Sequence, residues 1–127
     1  MSGAGWGAWG VDNFDNDAAL DYLSMLTMQL TATITAVVGD DERIELDEDG
    51  ETMLMPSVEV LALLCERYNT APPKPAVVRQ WRDKYLSVYD RDINKLKVTA
   101  DFKAGRRKAI EKTFRWLEGL AESFWES

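Results

Sequence analysis

The chain has no histidine, one cysteine, only four prolines in 127 residues, and in its first 66 residues a single base, Arg43. Each shortage removes a class of chemistry. Without histidine there is no imidazole to act as general base near neutral pH or to orient a nucleophile, so Ser-His-Asp and Cys-His arrangements are excluded. One cysteine and no histidine also exclude the usual zinc sites. Cys65 has no partner for an internal disulfide and stands beside the apolar run Val60-Leu61-Ala62-Leu63-Leu64, which fits a reducing compartment and a packing role. No apolar run is long enough to cross a bilayer, and the first residues lack the pattern of a signal peptide, so the sequence leads one to expect a soluble, cytoplasmic protein.

What is abundant is acid. Asp and Glu number 22 against 15 Lys and Arg, for a formal net charge of -7. Residues 1–66 hold 14 acids and one base, and residues 67–127 hold 8 acids and 14 bases, so the two halves carry -13 and +6. A polyanion is repelled by such a molecule, which argues against direct nucleic-acid binding. The densest block is Asp40, Asp41, Glu42, Glu45, Asp47, Glu48, Asp49 and Glu51. It reads either as a solvated loop or as a docking surface for a basic partner. As a calcium loop it fails, because counting from Glu45 puts Pro56 where a bidentate glutamate is required.

Hydrophobic spacing predicts a mainly α protein: one domain, a bundle of about four principal helices, with residues 1–14 as an irregular Gly/Trp arm packing on it. The first helix follows the capping residues of segment 12–17 and runs to about Val38, placing Leu20, Leu23, Leu26 or Thr27, Leu30, Ile34 and Val37 on one side. Ile44 and Leu46 alternate with acids and suggest a short strand or hairpin in the acidic segment. A second helix from Pro56-Ser57 to near Asn69 has apolar residues almost all round its axis, predicting the most buried element. Within it Glu59, if buried, needs a partner, such as a tryptophan N–H or a backbone N–H of the arm. Pro72, Pro73 and Pro75 make an extended connector, with Pro75 opening a third helix to about Tyr89 that buries Val78, Trp81, Tyr85 or Leu86, and Tyr89. A short turn holds Ile93 and Leu96. The last helix, about Asp101 to Phe124, repeats Ala109 or Ile110, Thr113, Leu117, Leu120 and Phe124.

Gly7-Ala8-Trp9-Gly10, then Phe14-Asp15-Asn16-Asp17 and Ala18-Ala19-Leu20-Asp21-Tyr22, resembles the opening of the bacterial domain-of-unknown-function family 4259. Val58-Glu59-Val60-Leu61-Ala62 and Leu120-Ala121-Glu122-Ser123-Phe124-Trp125 are similar to later parts of that family. The likeness implies a compact helical domain with no assigned catalysis, in which Trp9, Gly10, Phe14, Asn16, Asp17 and Glu59 are structural motif residues. It also implies kinship with immunity partners of secreted toxins. The expectation is then a non-catalytic inhibitor, needing no cofactor and no metal, that docks the segment from Asp40 to Glu51 onto a basic toxin such as a nuclease, with Trp6 or Trp125 as aromatic anchors. The alternatives are an enzyme using a divalent cation on Asp12, Asp15, Asp17 or Glu59, and an oligomeric scaffold in which the acidic half of one copy meets the basic half of another.

Overall fold

The structure, a computed structural model, describes residues 7–126. Four helices carry the architecture: α1 (Asp17–Val38), α2 (Met55–Tyr68), α3 (Pro75–Asp92) and α4 (Ala100–Glu126). A wide helical turn, Leu46–Leu54, leads directly into α2, and a single 3₁₀ turn, Ile93–Lys95, follows α3. Among the described residues there is no strand, and the bundle is all-α.

The starts and stops have local causes. Asn16 stands in extended conformation ahead of α1, and its side-chain oxygen accepts from the backbone N–H of Ala19 at 2.8 Å, satisfying one of the free donors of the first turn. Pro56 and Pro75 lie in the first turns of α2 and α3, where a missing N–H costs nothing. At the other end of α2, Asn69 takes the left-handed conformation with φ 54° and ψ 36° and turns the chain into the proline connector.

Helix α2 crosses the middle of the molecule and packs on α1 and α4, while α3 and α4 form the most extensive pairing. The core is filled by Ile34 and Val37 of α1, Val58 and Leu61 of α2, Trp81, Tyr85 and Tyr89 of α3, and Ile110, Phe114 and Leu117 of α4, among others. These helices bury one stripe each, as an amphipathic period requires. Two expectations are corrected. Helix α2 is not apolar-buried all round, because Val60 and Leu63 are 43% and 48% exposed. The register of α4 is set by Ile110, Phe114, Leu117 and Ala121 rather than by Thr113, Leu120 and Phe124. Phe114 carries the larger apolar side chain, so burying it in place of Thr113 removes more surface from water and fixes the helix rotation.

The strand expected at Ile44 and Leu46 is also corrected. Both side chains are buried, but the backbone turns instead of extending: Ile44 N–H bonds to the Asp40 carbonyl at 3.0 Å, Asp49 N–H to that of Arg43 at 2.8 Å, and Gly50 N–H to that of Glu45 at 3.1 Å. A strand here would have no neighbour to pair with, whereas a turn closes its own hydrogen bonds and still delivers both side chains to the core. The turn is not regular, since Glu48 departs from helical geometry at φ -108° and ψ -123°.

Candidate interaction surface

The acidic segment sorts into two groups once folded. Three of its carboxylates are tied into the molecule. Asp41 meets the Lys84 ammonium at 3.1 Å, Asp49 accepts from Arg43 Nε at 2.8 Å, and Glu51 accepts from Arg106 Nε at 2.6 Å and Nη2 at 3.1 Å. Glu51 also takes the hydroxyl hydrogen of Tyr85, a side chain with no exposed surface. Burial, and then this hydrogen bond to a carboxylate, push the Tyr85 pKa well above the usual phenol range. The same carboxylate raises the pKa of Arg106. Glu51 is therefore a strut between the turn, α3 and α4, unlike the free docking residue expected of it.

Asp40, Glu42, Glu45, Asp47 and Glu48 make up the second group. None of them is in an ion pair among the described residues. Asp40 caps the turn, its Oδ1 accepting from the N–H groups of Glu42 at 3.0 Å and Arg43 at 3.1 Å. Glu42, Asp47 and Glu48 are exposed and Glu45 is half-buried. The buried anchors Ile44, Leu46 and Leu54 hold the segment against the core, so these carboxylates stand on a fixed backbone. Gly50 is required here: an added Cβ would collide with the carbonyl oxygen of Ile44 and lie 2.9 Å from that of Glu45 and 3.0 Å from the Tyr85 ring.

The basic half is largely matched at home. Arg79 and Arg82 bracket Glu118 at 3.1 and 2.8 Å, and Arg107 binds Asp90 through two nitrogens, each at 2.9 Å, with Glu111 also within reach. Those bonds hold the Asp90 carboxyl below its ordinary value and raise Arg107. None of these pairings was legible in the sequence, and the most buried of the carboxylates stands at a helix end. Asp92, at the end of α3, is buried and accepts from Arg91 at 2.8 and 2.7 Å and from Lys95 at 3.1 Å. The Arg91 hydrogen bonds lead in lowering its pKa to about 2. The one available signal was the need of Ile93, one turn past Tyr89, to reach the core.

At the opposite end of α1 the glycine-tryptophan motif forms a closed loop. Trp9 N–H bonds to the Asp15 carbonyl at 2.9 Å, Asp15 N–H to that of Asp12 at 3.1 Å, and Asp12 N–H to the Asp15 carboxylate at 3.0 Å. The Asp15 carboxylate occupies the place a Cβ of Gly10 would need, which explains the glycine. Phe14 packs on Tyr68 with ring centroids 4.5 Å apart, pinning the loop to the end of α2. A cavity of about 450 Å³ remains between Trp9, Asp12, Phe14, Arg67 and Tyr68. Asp17 is exposed in the first turn of α1, where the helix dipole favours an acid. Trp9, Gly10, Phe14 and Asn16 thus act on the fold through loop closure, packing and capping.

Glu59 is exposed, at the rim of a cleft of about 220 Å³ shared with Glu51 and Arg106, so the condition under which it would need a buried partner is not met. It falls on the solvent side because the helix turns Val58 and Leu61 inward. Of the aromatic anchors, Trp6 lies outside the described residues. Trp125 is engaged within the chain, its indole N–H bonding to the Pro72 carbonyl at 2.9 Å and its ring facing the Lys74 ammonium at 4.0 Å. Among the described residues no group of three or more His, Cys, Asp or Glu side chains could hold a metal ion, and no helix is long and apolar enough to cross a membrane.

These features define a small all-α bundle with an acidic turn at one end of its first helix and a closed glycine-tryptophan loop at the other. The chain belongs to the family described as Domain of unknown function (DUF4259), whose model matches residues 7–126. No curated protein and no solved structure matches it.

Proposed function

We propose that this chain is a protein-binding inhibitor without catalysis of its own, a bacterial immunity protein that acts in the cytoplasm by laying an acidic surface on a cognate basic toxin. The observation that carries the reading is the second group of carboxylates. Asp40, Glu42, Glu45, Asp47 and Glu48 are held on a well-anchored turn, outside any ion pair among the described residues, while acids elsewhere in the same segment are paired. Fixed charges of one sign raise the rate of encounter with a complementary surface and lose little entropy on docking. A nuclease suits such a surface, because a cleft shaped for phosphates also attracts carboxylates. The absence of histidine and of a second cysteine, a property of the sequence, is in keeping with this reading.

The test is affinity capture from the source organism followed by mass spectrometry and activity assay. The expected result is a basic protein, recovered in stoichiometric amount, whose activity is inhibited by this chain. Its association rate should fall as salt rises and should fall again when Glu42, Asp47 and Glu48 are changed to lysine. A purified preparation of this chain that turns over a substrate, or a captured partner whose association is indifferent to both salt and charge reversal, would refute the proposal.

A further inference from the structure

Helix α1 has an outer face that the bundle does not use. From Tyr22 to Gly39 there is no charged residue, in a chain that is 29% Asp, Glu, Lys and Arg. Its inner face is spent on the core through Leu23, Thr27, Ile34 and Val37. On the opposite side Ala18, Tyr22, Met25, Gln29, Ala32 and Ala36 follow one another at intervals of four, three, four, three and four residues. That is the spacing of a seam on which a second helix packs. Its side chains face solvent: Tyr22 is 56%, Met25 52% and Met28 70% exposed. The bulky end, Tyr22 to Met28, gives way to a small end at Ala32 and Ala36 where another backbone could approach closely. Beside Met28 the seam continues into a groove of about 330 Å³, floored by Thr31 and Ala32 and walled by Ala71, Pro72 and Pro73.

Charge decides what fits there. The N-terminal end of the seam carries Asp12, Asp15, Asp17 and Asp21, and its C-terminal end carries Asp40, Asp41 and Glu42. Among the described residues the only cation in an ion pair with any of these is Lys84, on Asp41. A second copy that laid its own α1 on this seam in alignment, parallel or antiparallel, would bring acid against acid at both ends of the seam. A helix whose apolar stripe is bordered by lysine or arginine at both ends meets attraction at each end and an uncharged seam between.

We propose that the outer face of α1, from Tyr22 to Ala36, is the docking seam for an apolar helix of a basic partner protein, the acids at its two ends clamping that helix in register. The inference rests on the proposed inhibitor reading and adds to it where the apolar contact is made.

The test uses defined probes. One is a synthetic amphipathic peptide of about 20 residues, or roughly 30 Å as a helix, with leucine and alanine on one face and lysine on the other. The second is the same peptide with glutamate in place of lysine. Binding of each to the full chain is read by fluorescence anisotropy at physiological salt. The lysine peptide should bind and the glutamate peptide should not. Met25→Glu should weaken the lysine peptide about tenfold, the effect of roughly 1.4 kcal/mol, although it adds negative charge. Met25 is exposed, so the variant should keep the melting temperature of the unmodified chain. If Met25→Glu leaves binding unchanged or strengthens it, while lysines at Asp47 and Glu48 abolish it, the seam is refuted and the acidic docking surface survives. If the lysine peptide does not bind at all, the seam is refuted, and the capture experiment still decides the inhibitor reading. Sedimentation showing a dimer that Met25→Glu dissociates would also overturn the inference, since the occupant would then be a second copy.

Discussion

Glu51 offers the sharpest test of how the acidic turn is built. It is the acceptor for a tyrosine hydroxyl with no access to water and for a guanidinium whose side chain is only 25% exposed. Glu51→Ala therefore leaves the Tyr85 hydroxyl buried without a partner, which costs about 1–3 kcal/mol. Arg106 loses its carboxylate as well, but it keeps enough exposure to recover water, so its share is discounted to about 1 kcal/mol or less. A total of about 1–4 kcal/mol, centred near 2, corresponds to a melting temperature lower by roughly 10 °C for a chain of this size. The decisive comparison is a double-mutant cycle with Tyr85→Phe, read by urea unfolding. In the unmodified chain Tyr85→Phe should cost about 1 kcal/mol. In the Glu51→Ala background it should be neutral or stabilising, because it removes the orphaned hydroxyl, giving a coupling of about 1–2 kcal/mol. Equal costs in both backgrounds would show that the hydroxyl and the carboxylate are not energetically joined. The assignment of Glu51 to the fold instead of to docking would then fall.

Three further outcomes follow from the geometry. Gly50→Ala should destabilise by more than about 2 kcal/mol in the same unfolding assay, because the new methyl meets backbone carbonyls of Ile44 and Glu45 that cannot swing away. Asp92, held at a pKa of about 2 against an ordinary 3.8 chiefly by its hydrogen bonds to Arg91, contributes stability that is fully present above pH 4 and is lost as pH falls toward 2. Asp92→Asn should flatten the fall in unfolding free energy between pH 4 and 2 by on the order of 1 kcal/mol, after allowance for its exposed cationic partners, as acid titration followed by circular dichroism would register. Cys65 is buried and its thiol is raised by desolvation to about 11, so a thiol reagent at pH 8 should modify the folded chain at least about a hundredfold more slowly than the urea-unfolded one.

Much of the scaffold was legible in the order of residues. Periodic apolar positions, Asn16 ahead of α1, and Pro56 and Pro75 near helix starts located all four helices. These signals are local: a cap, a missing N–H or a three-to-four repeat acts within a turn or two of itself. The glycine-tryptophan opening carried the family, and the structure supplies its reason in the loop that Asp15 closes over Gly10. The errors fall where a local pattern was ambiguous. Ile44 and Leu46 alternate as a strand would, yet a lone strand has no ladder to join. Thr113 and Phe114 are neighbours on α4, and the packing of the core takes the second because it removes more apolar surface from water. Glu59 keeps apolar company in sequence, which leaves its burial open, and its helix turns it toward water.

The chain's composition excluded histidine-dependent catalysis and the usual zinc sites, and its periodicity settled that it is a helical bundle. Both are properties of residue type and near-neighbour spacing, and they survive any rearrangement in space. Which acids are free was decided only by folding. Eight carboxylates in twelve positions look alike along the chain, but Lys84, Arg43 and Arg106 neutralise Asp41, Asp49 and Glu51, and two of those three cations come from helices more than forty residues away. The uncharged outer face of α1 likewise became a surface only when its inner face was buried. Coulomb interaction and burial depend on distance in space, so the pairing that separates a structural acid from an available one is written in the packing of α3 and α4 against the turn.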